Sequence, residues 1–426
     1  MPDYSSSFLE RLSDHSFPIP DLERPFIFPK YLDQSILNIP STVCKWMNLP
    51  GFEANPLLEQ ITNYFEADIR KVVFVLLDGL SFHRFQKWKS SNPIWEPMIQ
   101  NGLFAPLTSV LPSTTSSSLT TLWTGRSPAS HGIIGYEMWL KEYAMVANMI
   151  LHSPMTFAGD TPGSLKKAGF SPQDFLKLPT LGTHLLSHGC KAYAFSHYSI
   201  ANSGLSQMLM EDVDVFPFQT PASLWVSVRD LLEKKNSEKM FIWIYWGQLD
   251  GISHYHGPDD PRAEAEFSHF SMALEHFFLR TLSREAKQDT LFILTSDHGQ
   301  TFTPLSEENT LGKHPKLNSC LRLKPTCENR LAFLYLRPGF EKEVRDYFNS
   351  YFPNKFTLIS QDEARNTGLF GPGPAHPDLV NRIGDLIAIA HENTYLWWAD
   401  QDDFLLGRHG GLFPDDMLVP FVAGKL

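Results

Sequence analysis

Three stretches of the sequence share one pattern, a short apolar run that closes on an aspartate. They are KVVFVLLDG (71–79), KMFIWIYWGQLDG (239–251) and TLFILTSDHG (290–299), which end near Asp78, Asp250 and Asp297. Runs that are apolar at every position are typical of strands buried on both faces, as in a parallel sheet. Ligands bind at the carboxyl ends of such strands, so the three aspartates are predicted to lie together at a binding site.

Helix-like segments separate these runs, at 179–188, 222–235 and 263–282. Alternating strands and helices predict an α/β fold, a doubly wound and mostly parallel sheet flanked by helices. We assign residues 71–300 and 381–426 to this core.

Two segments depart from the alternation. Residues 1–70 are rich in Pro and Ser and end in a predicted helix over 57–69, so we expect a leader that packs on the core. Residues 301–380 combine proline-rich loops with a strand signal (328–338) and a helix signal (341–352), and we expect a small α+β cap or insertion. Residues 384–398 are predicted to return to the core as two strands.

Composition limits the classes of function. The chain has 426 residues, 42% of them hydrophobic and 19% charged, which is a globular composition rather than a disordered one. The net charge is −11 and no long basic stripe is present, so extended nucleic acid is not an expected partner. Small anionic substrates stay possible, because bound metal ions reverse the local charge of an acidic site.

The cellular location is predicted from the absence of a signal-peptide pattern, of a membrane-spanning run and of paired cysteines. MPDYSSSFLERLSDH (1–15) has no basic segment followed by an apolar stretch, and the longest apolar runs are too short to span a bilayer. The four cysteines are scattered without a CxxC pair. We therefore expect a cytoplasmic protein with reduced thiols and without a membrane span.

Candidate metal ligands lie in or beside the same runs. Asp250 and His254 are four residues apart, a spacing that places both on one face of a helical turn. Asp297 and His298 follow a predicted strand, and His409 stands between glycines in GRHGG (407–411). With Asp78, these residues supply three carboxylates and three imidazoles, enough ligands for two divalent ions.

A candidate nucleophile lies in LPSTTSSSLTTLWTG (111–125), which is predicted to be a loop entering the amino terminus of a helix. That end presents free N–H groups and a positive dipole to an anion. A threonine there is placed to attack phosphorus while the amides hold the phosphoryl oxygens.

Five motifs, in this order, resemble those of the alkaline-phosphatase superfamily, especially its type I phosphodiesterase/nucleotide pyrophosphatase branch. They are VLLDG, the threonine-containing helix entry with TGRSPASHGIIG, LDGISHYHGP, TSDHG and GRHGG, and they span residues 71 to 411. The resemblance implies two metal ions, zinc first and manganese as the alternative. It implies that Asp250, His254 and His409 bind one ion, and that Asp78, Asp297, His298 and the nucleophile bind the other.

The resemblance also suggests which residues act on substrate. Counting back from Thr124-Gly125 to the family's nucleophile position gives Thr115, with Thr114 as the neighbouring alternative. Where the branch usually has an asparagine that contacts the phosphoryl group, this chain has Ser118. His256 and Lys313 are further candidate substrate contacts, with a plain solvated loop as the alternative for Lys313.

The activity implied is hydrolysis of a small phosphate ester through a phospho-threonine intermediate, with net retention at phosphorus. A phosphomonoesterase, a phosphonate hydrolase or a phosphoglycerate-mutase-like enzyme is the alternative within the superfamily. A sulfatase is disfavoured because no Cys/Ser-x-Pro-x-Arg stretch is present at the site. A non-catalytic scaffold of the same fold is the alternative outside enzymes, although such a protein usually loses metal ligands.

Overall fold

The computed structural model describes residues 4–13, 19, 22, 25–65, 69–155 and 161–426. Its strands are β1 (Lys71–Leu77), β2 (Leu103–Thr108), β3 (Glu137–Leu140), β4 (Met145–Asn148), β5 (Ser153–Pro154), β6 (Lys191–His197), β7 (Val213–Phe218), β8 (Met240–Trp246), β9 (Thr290–Thr295), β10 (Thr301–Phe302), β11 (Thr326–Glu328), β12 (Leu331–Leu334), β13 (Phe356–Ser360), β14 (Leu386–Ala390), β15 (Gly407–Arg408) and β16 (Leu418–Lys425). Its α-helices are α1 (Ser5–Ser13), α2 (Ile39–Trp46), α3 (Glu59–Thr62), α4 (Phe82–Trp88), α5 (Trp95–Gln100), α6 (Thr115–Thr124), α7 (Pro128–His131), α8 (Pro172–Leu176), α9 (Leu181–Ser187), α10 (Gly204–Leu209), α11 (Pro221–Lys234), α12 (Gln248–His256), α13 (Pro261–Leu274), α14 (Arg284–Lys287), α15 (Pro315–Cys320), α16 (Glu341–Tyr351), α17 (Gln361–Asn366), α18 (Leu379–Arg382) and α19 (Pro414–Met417).

The three apolar runs that close on aspartates form adjacent strands of the core sheet. Among the described residues this sheet has the order β2-β16-β9-β1-β8-β6-β7. β1 pairs in parallel with β8 on one side and β9 on the other, and every residue of β1 is buried. β6 and β7 continue the parallel set, whereas β16 runs antiparallel to both β9 and β2. The predicted mostly parallel α/β sheet flanked by helices is confirmed.

The flanking helices follow their sequence signals. α11 begins after Thr220, whose side chain accepts a hydrogen bond from the backbone N–H of Ser223, and Pro221 occupies the first turn. Its buried residues, Leu224, Trp225, Val228 and Leu232, share one helical face. α9 lies within the predicted segment 179–188, and α13 overlaps the predicted segment 263–282 but begins two residues before it.

A second sheet of the described residues has the order β13-β14-β12-β11-β3-β4-β5. It contains the predicted strand and helix signals of the insertion, but it also takes strands from residues 137–154. The prediction that residues 384–398 return to the core sheet is wrong. β14 pairs antiparallel with β12 and β13 of the second sheet, because a short buried apolar strand such as LIAIA fits either sheet equally well. The inserted layer is therefore wider than residues 301–380.

The described part of the leader packs on the core. Phe8 and Leu12 of α1 belong to the same hydrophobic cluster as the central strands, and the Ile27 N–H donates to the Leu412 carbonyl at 2.8 Å. The predicted helix over 57–69 appears only as α3, and residues 66–68 lie outside the described residues, as do 1–3 and 14–15 of the amino-terminal segment. No helix in the described part of the chain combines the length and apolar character that a bilayer span needs.

Candidate active site

Three aspartates converge at the carboxyl edge of the core sheet. Asp78 directly follows β1, Asp297 follows β9, and Asp250 lies in the first turn of α12, which begins just after β8. His298 Nε2 lies 3.4 Å from Asp78 Oδ1 and 3.5 Å from Asp297 Oδ2. The hydroxyl of Tyr245, on β8, donates to Asp78 Oδ2 and orients that carboxylate.

The described residues contain two overlapping groups of potential metal ligands. Asp78, Asp297 and His298 offer ligand atoms that all lie within 4.8 Å of one another, and so do Asp250, His298 and His409. His254 Nε2 lies 3.2 Å from Asp250 Oδ2, and its ring centroid is 5.2 Å from that of His409. All six side chains proposed from the sequence are thus brought together, with His298 between the two groups.

The three histidines are held in the tautomer that a metal ligand needs. The Nδ1 atom of each faces a backbone carbonyl, at 2.7 Å for His254 and Gly407, 3.0 Å for His298 and Gly299, and 3.1 Å for His409 and Ser113. A carbonyl oxygen can only accept, so Nδ1 carries the proton and Nε2 keeps its lone pair. Imidazoles fixed in this way fit divalent transition metals.

The carboxylates also fit a cation. Asp78 Oδ1 and Asp297 Oδ2 are buried and accept no hydrogen bond from the described residues. Burial, followed by repulsion from Asp297 and Asp250, raises the pKa of Asp78 well above its usual range. Burial would also raise the pKa of Asp250, but attraction to His254 lowers it overall. Crowded, desolvated carboxylates of this kind are relieved by a bound cation.

Thr115 is the candidate nucleophile whose hydroxyl faces this cluster. It is the first residue of α6, and its Oγ1 lies 3.2 Å from His298 Nε2. α6 begins there because Thr114 has extended backbone angles (φ −143°, ψ 149°), and it ends at Gly125, whose φ of 62° closes the helix. The Thr114 hydroxyl instead donates to Glu328 Oε1 at 2.6 Å. The geometry favours Thr115 over Thr114 as the residue facing the ligand cluster.

The three residues expected to contact substrate, Ser118, His256 and Lys313, do not line the cavity at Thr115. Ser118 is fully buried, and its hydroxyl donates to the Asp297 carbonyl at 3.0 Å, so it supports the loop after β9. His256 is exposed, because two further residues along α12 turn it by about 200° from His254. Lys313 is a surface residue whose Nζ pairs with Glu307 at 3.0 Å. None of the three lines the cavity at Thr115.

That cavity has a volume of about 380 Å³. Thr115, Asp250, His254 and His409 line it. It is also lined by the carboxylates Glu137 and Glu328 and by the aromatic rings of Tyr136, Tyr255, Trp397, Trp398 and Phe404. Burial raises the pKa of Glu137 to about 7 and that of Glu328 to about 8. Sequence analysis missed Glu137 and Glu328 because they lie on β3 and β11 of the second sheet, outside the ligand motifs.

Comparison with known proteins agrees with this geometry. Residues 72–412 match the family model for type I phosphodiesterase/nucleotide pyrophosphatase. Human ectonucleotide pyrophosphatase/phosphodiesterase family member 5 is 24% identical over 360 residues. The match covers 81% of this chain and 66% of that protein, so the chain spans slightly less than two thirds of this relative's length.

Solved structures share the fold. Murine ectonucleotide pyrophosphatase/phosphodiesterase 5 has a TM-score of 0.62 at 20% identity, covering 83% of this chain and 88% of its own. An inactive threonine-to-alanine variant of that murine protein, in complex with AMP, has the same TM-score and identity and covers 87% of its own chain. Phosphonoacetate hydrolase from Sinorhizobium meliloti, in complex with phosphonoformate, has a TM-score of 0.59 at 16% identity, covering 82% of this chain and 89% of its own.

Proposed function

This chain belongs to the type I phosphodiesterase/nucleotide pyrophosphatase family of the alkaline-phosphatase superfamily, and from that premise we propose a metal-dependent phosphodiesterase with Thr115 as nucleophile. The proposal rests mainly on one observation. The Thr115 hydroxyl stands at the amino terminus of α6, 3.2 Å from His298 Nε2, where three carboxylates and three imidazoles converge. A hydroxyl in such a ligand cluster is the arrangement that phosphoryl transfer to a side chain requires.

The ligand set is proposed to hold two divalent ions, zinc first and manganese as the alternative. Asp78, Asp297 and His298, with Thr115, would hold one ion, and Asp250, His254 and His409 the other. Divalent ions supply Lewis acidity, which stabilises the negative charge that builds on the attacking, leaving and phosphoryl oxygens.

Residues of the chain itself bind the phosphoryl group and supply the nucleophile. The first-turn amides of α6 have no acceptor inside the helix, so they are free to hold the phosphoryl oxygens. The Thr115 oxygen forms a bond to phosphorus as the bond from phosphorus to one ester oxygen breaks. Water then attacks phosphorus, and the bond to Thr115 breaks with net retention. A diester and one water thereby give a phosphomonoester and an alcohol.

The murine relative supports the role of a threonine. Its inactive form carries alanine in place of threonine and binds AMP. This agrees with a nucleophilic threonine in the family fold and makes nucleotide diesters one substrate class to assay.

The proposal is tested with bis-p-nitrophenyl phosphate and p-nitrophenyl phosphate, each with added zinc or manganese. The wild-type chain should cleave the diester faster, and Thr115→Ala should lower its kcat/KM by about 10³-fold or more, because the nucleophile is lost. Thr120→Ala is the matched control. It removes a buried hydroxyl from the same helix that donates only to the Ser116 carbonyl, at 2.7 Å, and should retain most of the activity.

Three other outcomes would change the assigned nucleophile or the assigned activity. A Thr115→Ala variant that keeps a normal rate while Thr114→Ala loses it would move the nucleophile by one residue. Faster cleavage of the monoester would indicate a phosphomonoesterase. No cleavage of either ester by a chain that also binds no zinc or manganese would favour the scaffold alternative.

A further inference from the structure

A buried glutamine holds one of the candidate metal ligands from behind. Gln300 is fully buried, and its Nε2 donates to Asp250 Oδ1 and, at 3.1 Å, to the main-chain carbonyl of Asp250. A carbonyl oxygen can only accept, so the NH₂ group of the amide, and not its oxygen, faces Asp250. Two hydrogen bonds from one amide to one residue fix the direction in which the Asp250 carboxylate points.

The backbone of Gln300 is anchored independently of Asp250. The buried guanidinium of Arg84 donates to the Gln300 carbonyl at 2.6 Å and pairs with Asp259 at 3.0 Å. Gln300 directly precedes β10, which pairs antiparallel with β15. A side chain that starts from a fixed backbone holds its partner in one position.

The oxygen of the same amide has no partner. Within the described part of the chain, Gln300 Oε1 is buried and accepts no hydrogen bond. It lies against Gly407, where an added Cβ would be 2.3 Å away from it. A buried acceptor without a donor destabilises a fold. The contact of the NH₂ group with Asp250 therefore accounts for a glutamine at this position better than stability does.

The two carboxylate oxygens of Asp250 have different partners. Oδ1 accepts from Gln300, whereas Oδ2 lies 3.2 Å from His254 Nε2. With Oδ1 held by the amide, Asp250 offers one oxygen to an ion, and His254 and His409 each offer one nitrogen. Three such ligands and one open position are typical of catalytic zinc. Manganese favours octahedral sites rich in carboxylate, carbonyl and water oxygens.

We propose that Gln300 is a positioning residue that restricts Asp250 to one ligand oxygen, so that the group of Asp250, His254 and His409 selects zinc over manganese. Without the amide, Asp250 is free to turn both oxygens toward an ion, which favours manganese. The inference takes the ligand set from the proposed function, and it adds the metal of this group and the residue that decides it.

Metal binding tests the inference without turnover. The metal-free full chain is titrated by calorimetry with zinc, in competition with a chelator, and separately with manganese. Gln300→Met keeps the length of the side chain and removes both donors. It should weaken zinc binding at one of the two ligand groups about tenfold or more, because the carboxylate is no longer oriented. Manganese binding should stay equal or tighten, and an unchanged preference for zinc would overturn the inference.

Gln34→Met is the matched control. Gln34 is also fully buried, its Nε2 also donates to main-chain carbonyls, at 3.2 Å for Pro106 and 3.4 Å for Phe8, and its Oε1 also accepts no hydrogen bond from the described residues. Both variants should lose similar stability in urea denaturation, but only Gln300→Met should change the preference for zinc. An equal change in Gln34→Met would mean that the effect comes from a loosened fold and would contradict the assignment.

A double variant identifies the ligand group on which Gln300 acts. Asp250→Asn removes the carboxylate that the amide holds and should leave one metal equivalent. Adding Gln300→Met should not change the affinity of that remaining equivalent, because the partner of the amide is already gone. A further tenfold loss of zinc affinity, by about that factor or more, would show that Gln300 supports the other group and would overturn the role assigned to it.

Cobalt provides a spectroscopic signature of the coordination. Four-coordinate cobalt absorbs visible light much more strongly than six-coordinate cobalt, so the band reports the geometry at the ligands. The cobalt-loaded Gln300→Met variant should show a weaker visible band than wild type and the Gln34→Met control. Identical bands in all three proteins would contradict the inference.

The outcomes separate this inference from the proposed function. A wild-type chain that binds no zinc would contradict both. A wild-type chain that binds two equivalents, together with a Gln300→Met variant of unchanged metal preference, would overturn only the role of Gln300 and leave the two-ion site in place.

Discussion

His298 is the residue on which the geometry of the site depends most. Its Nε2 lies within 3.5 Å of Asp78, Asp297 and the Thr115 hydroxyl, and its ring stacks on His409 with centroids 3.9 Å apart. Its Nδ1 is fixed by the Gly299 carbonyl. One imidazole nitrogen thus stands beside the candidate nucleophile and between both ligand groups.

Metal content tests the ligand assignment at single residues. Asp250→Asn should lower the bound metal from two equivalents to about one, because it removes the carboxylate of one ligand group while leaving Asp78 and Asp297 in place. The measurement is metal analysis by mass spectrometry after gel filtration in buffer without chelator. Asp174→Asn, at an exposed position of α8, is the control and should keep both equivalents. Two equivalents in Asp250→Asn would refute its role as a ligand.

Sequence patterns located the clustered carboxylates and imidazoles better than the residues that line the cavity. Asp78 and Asp297 could be predicted because a strand end fixes where its next residues lie. His256 and Ser118 were misplaced because distance along a helix does not say which side of the helix faces the cavity. Glu137 and Glu328 carry no local signal at all, since only the pairing of β3 with β11 brings them to the site.

At the scale of elements, the turn after β1 sets the position of α12. Gly79 has a φ of 76°, and a Cβ there would lie 3.1 Å from the Asp250 Cα. A Cβ at this position would make a tighter contact with α12 than most Cβ atoms make, so Asp250 would have to shift by a few tenths of an ångström. Asp78 and Asp250 are held near one another through this backbone contact.

Substitution of Gly79 tests that contact. Gly79→Ala should lower kcat/KM for the diester about tenfold or more and reduce metal content, because the added methyl group displaces Asp250. Gly163→Ala is the matched control, since Gly163 has a φ of 79° but open space around a Cβ. Both variants should lose about 1 kcal/mol of unfolding free energy from the backbone conformation, as measured by urea denaturation. Equal activity and metal content in the two variants would contradict the role of the contact.

The elements that could be predicted are those whose apolar pattern indicates both the type of secondary structure and the neighbouring strands. β1, β8 and β9 are apolar at nearly every position, which favours the buried centre of a parallel sheet. β14 has the same apolar character, yet it pairs in the second sheet, since burial on both faces does not identify the neighbouring strands.

At the scale of the whole molecule, the candidate active site lies between the core sheet and the second sheet. The strand ends of the core sheet supply Asp78 and Asp297, and α6 supplies Thr115. Asp250 and His254 lie on α12, and His409 follows β15, which pairs with β10 in a two-stranded sheet. The second sheet supplies Glu137 and Glu328, and the loop with Trp397 and Trp398 completes the cavity. We therefore assign the chemistry to the core sheet and the choice of substrate to the second sheet.

The central claim is that Thr115 forms a covalent intermediate, and the stereochemical course at phosphorus tests it most directly. A chiral phosphorothioate diester is hydrolysed in ¹⁸O-labelled water, and the configuration of the thiophosphate monoester is determined, with Thr115→Ala as the blank. Two successive displacements, first by Thr115 and then by water, predict net retention. Net inversion would mean that water attacks the diester directly and would contradict a threonine nucleophile.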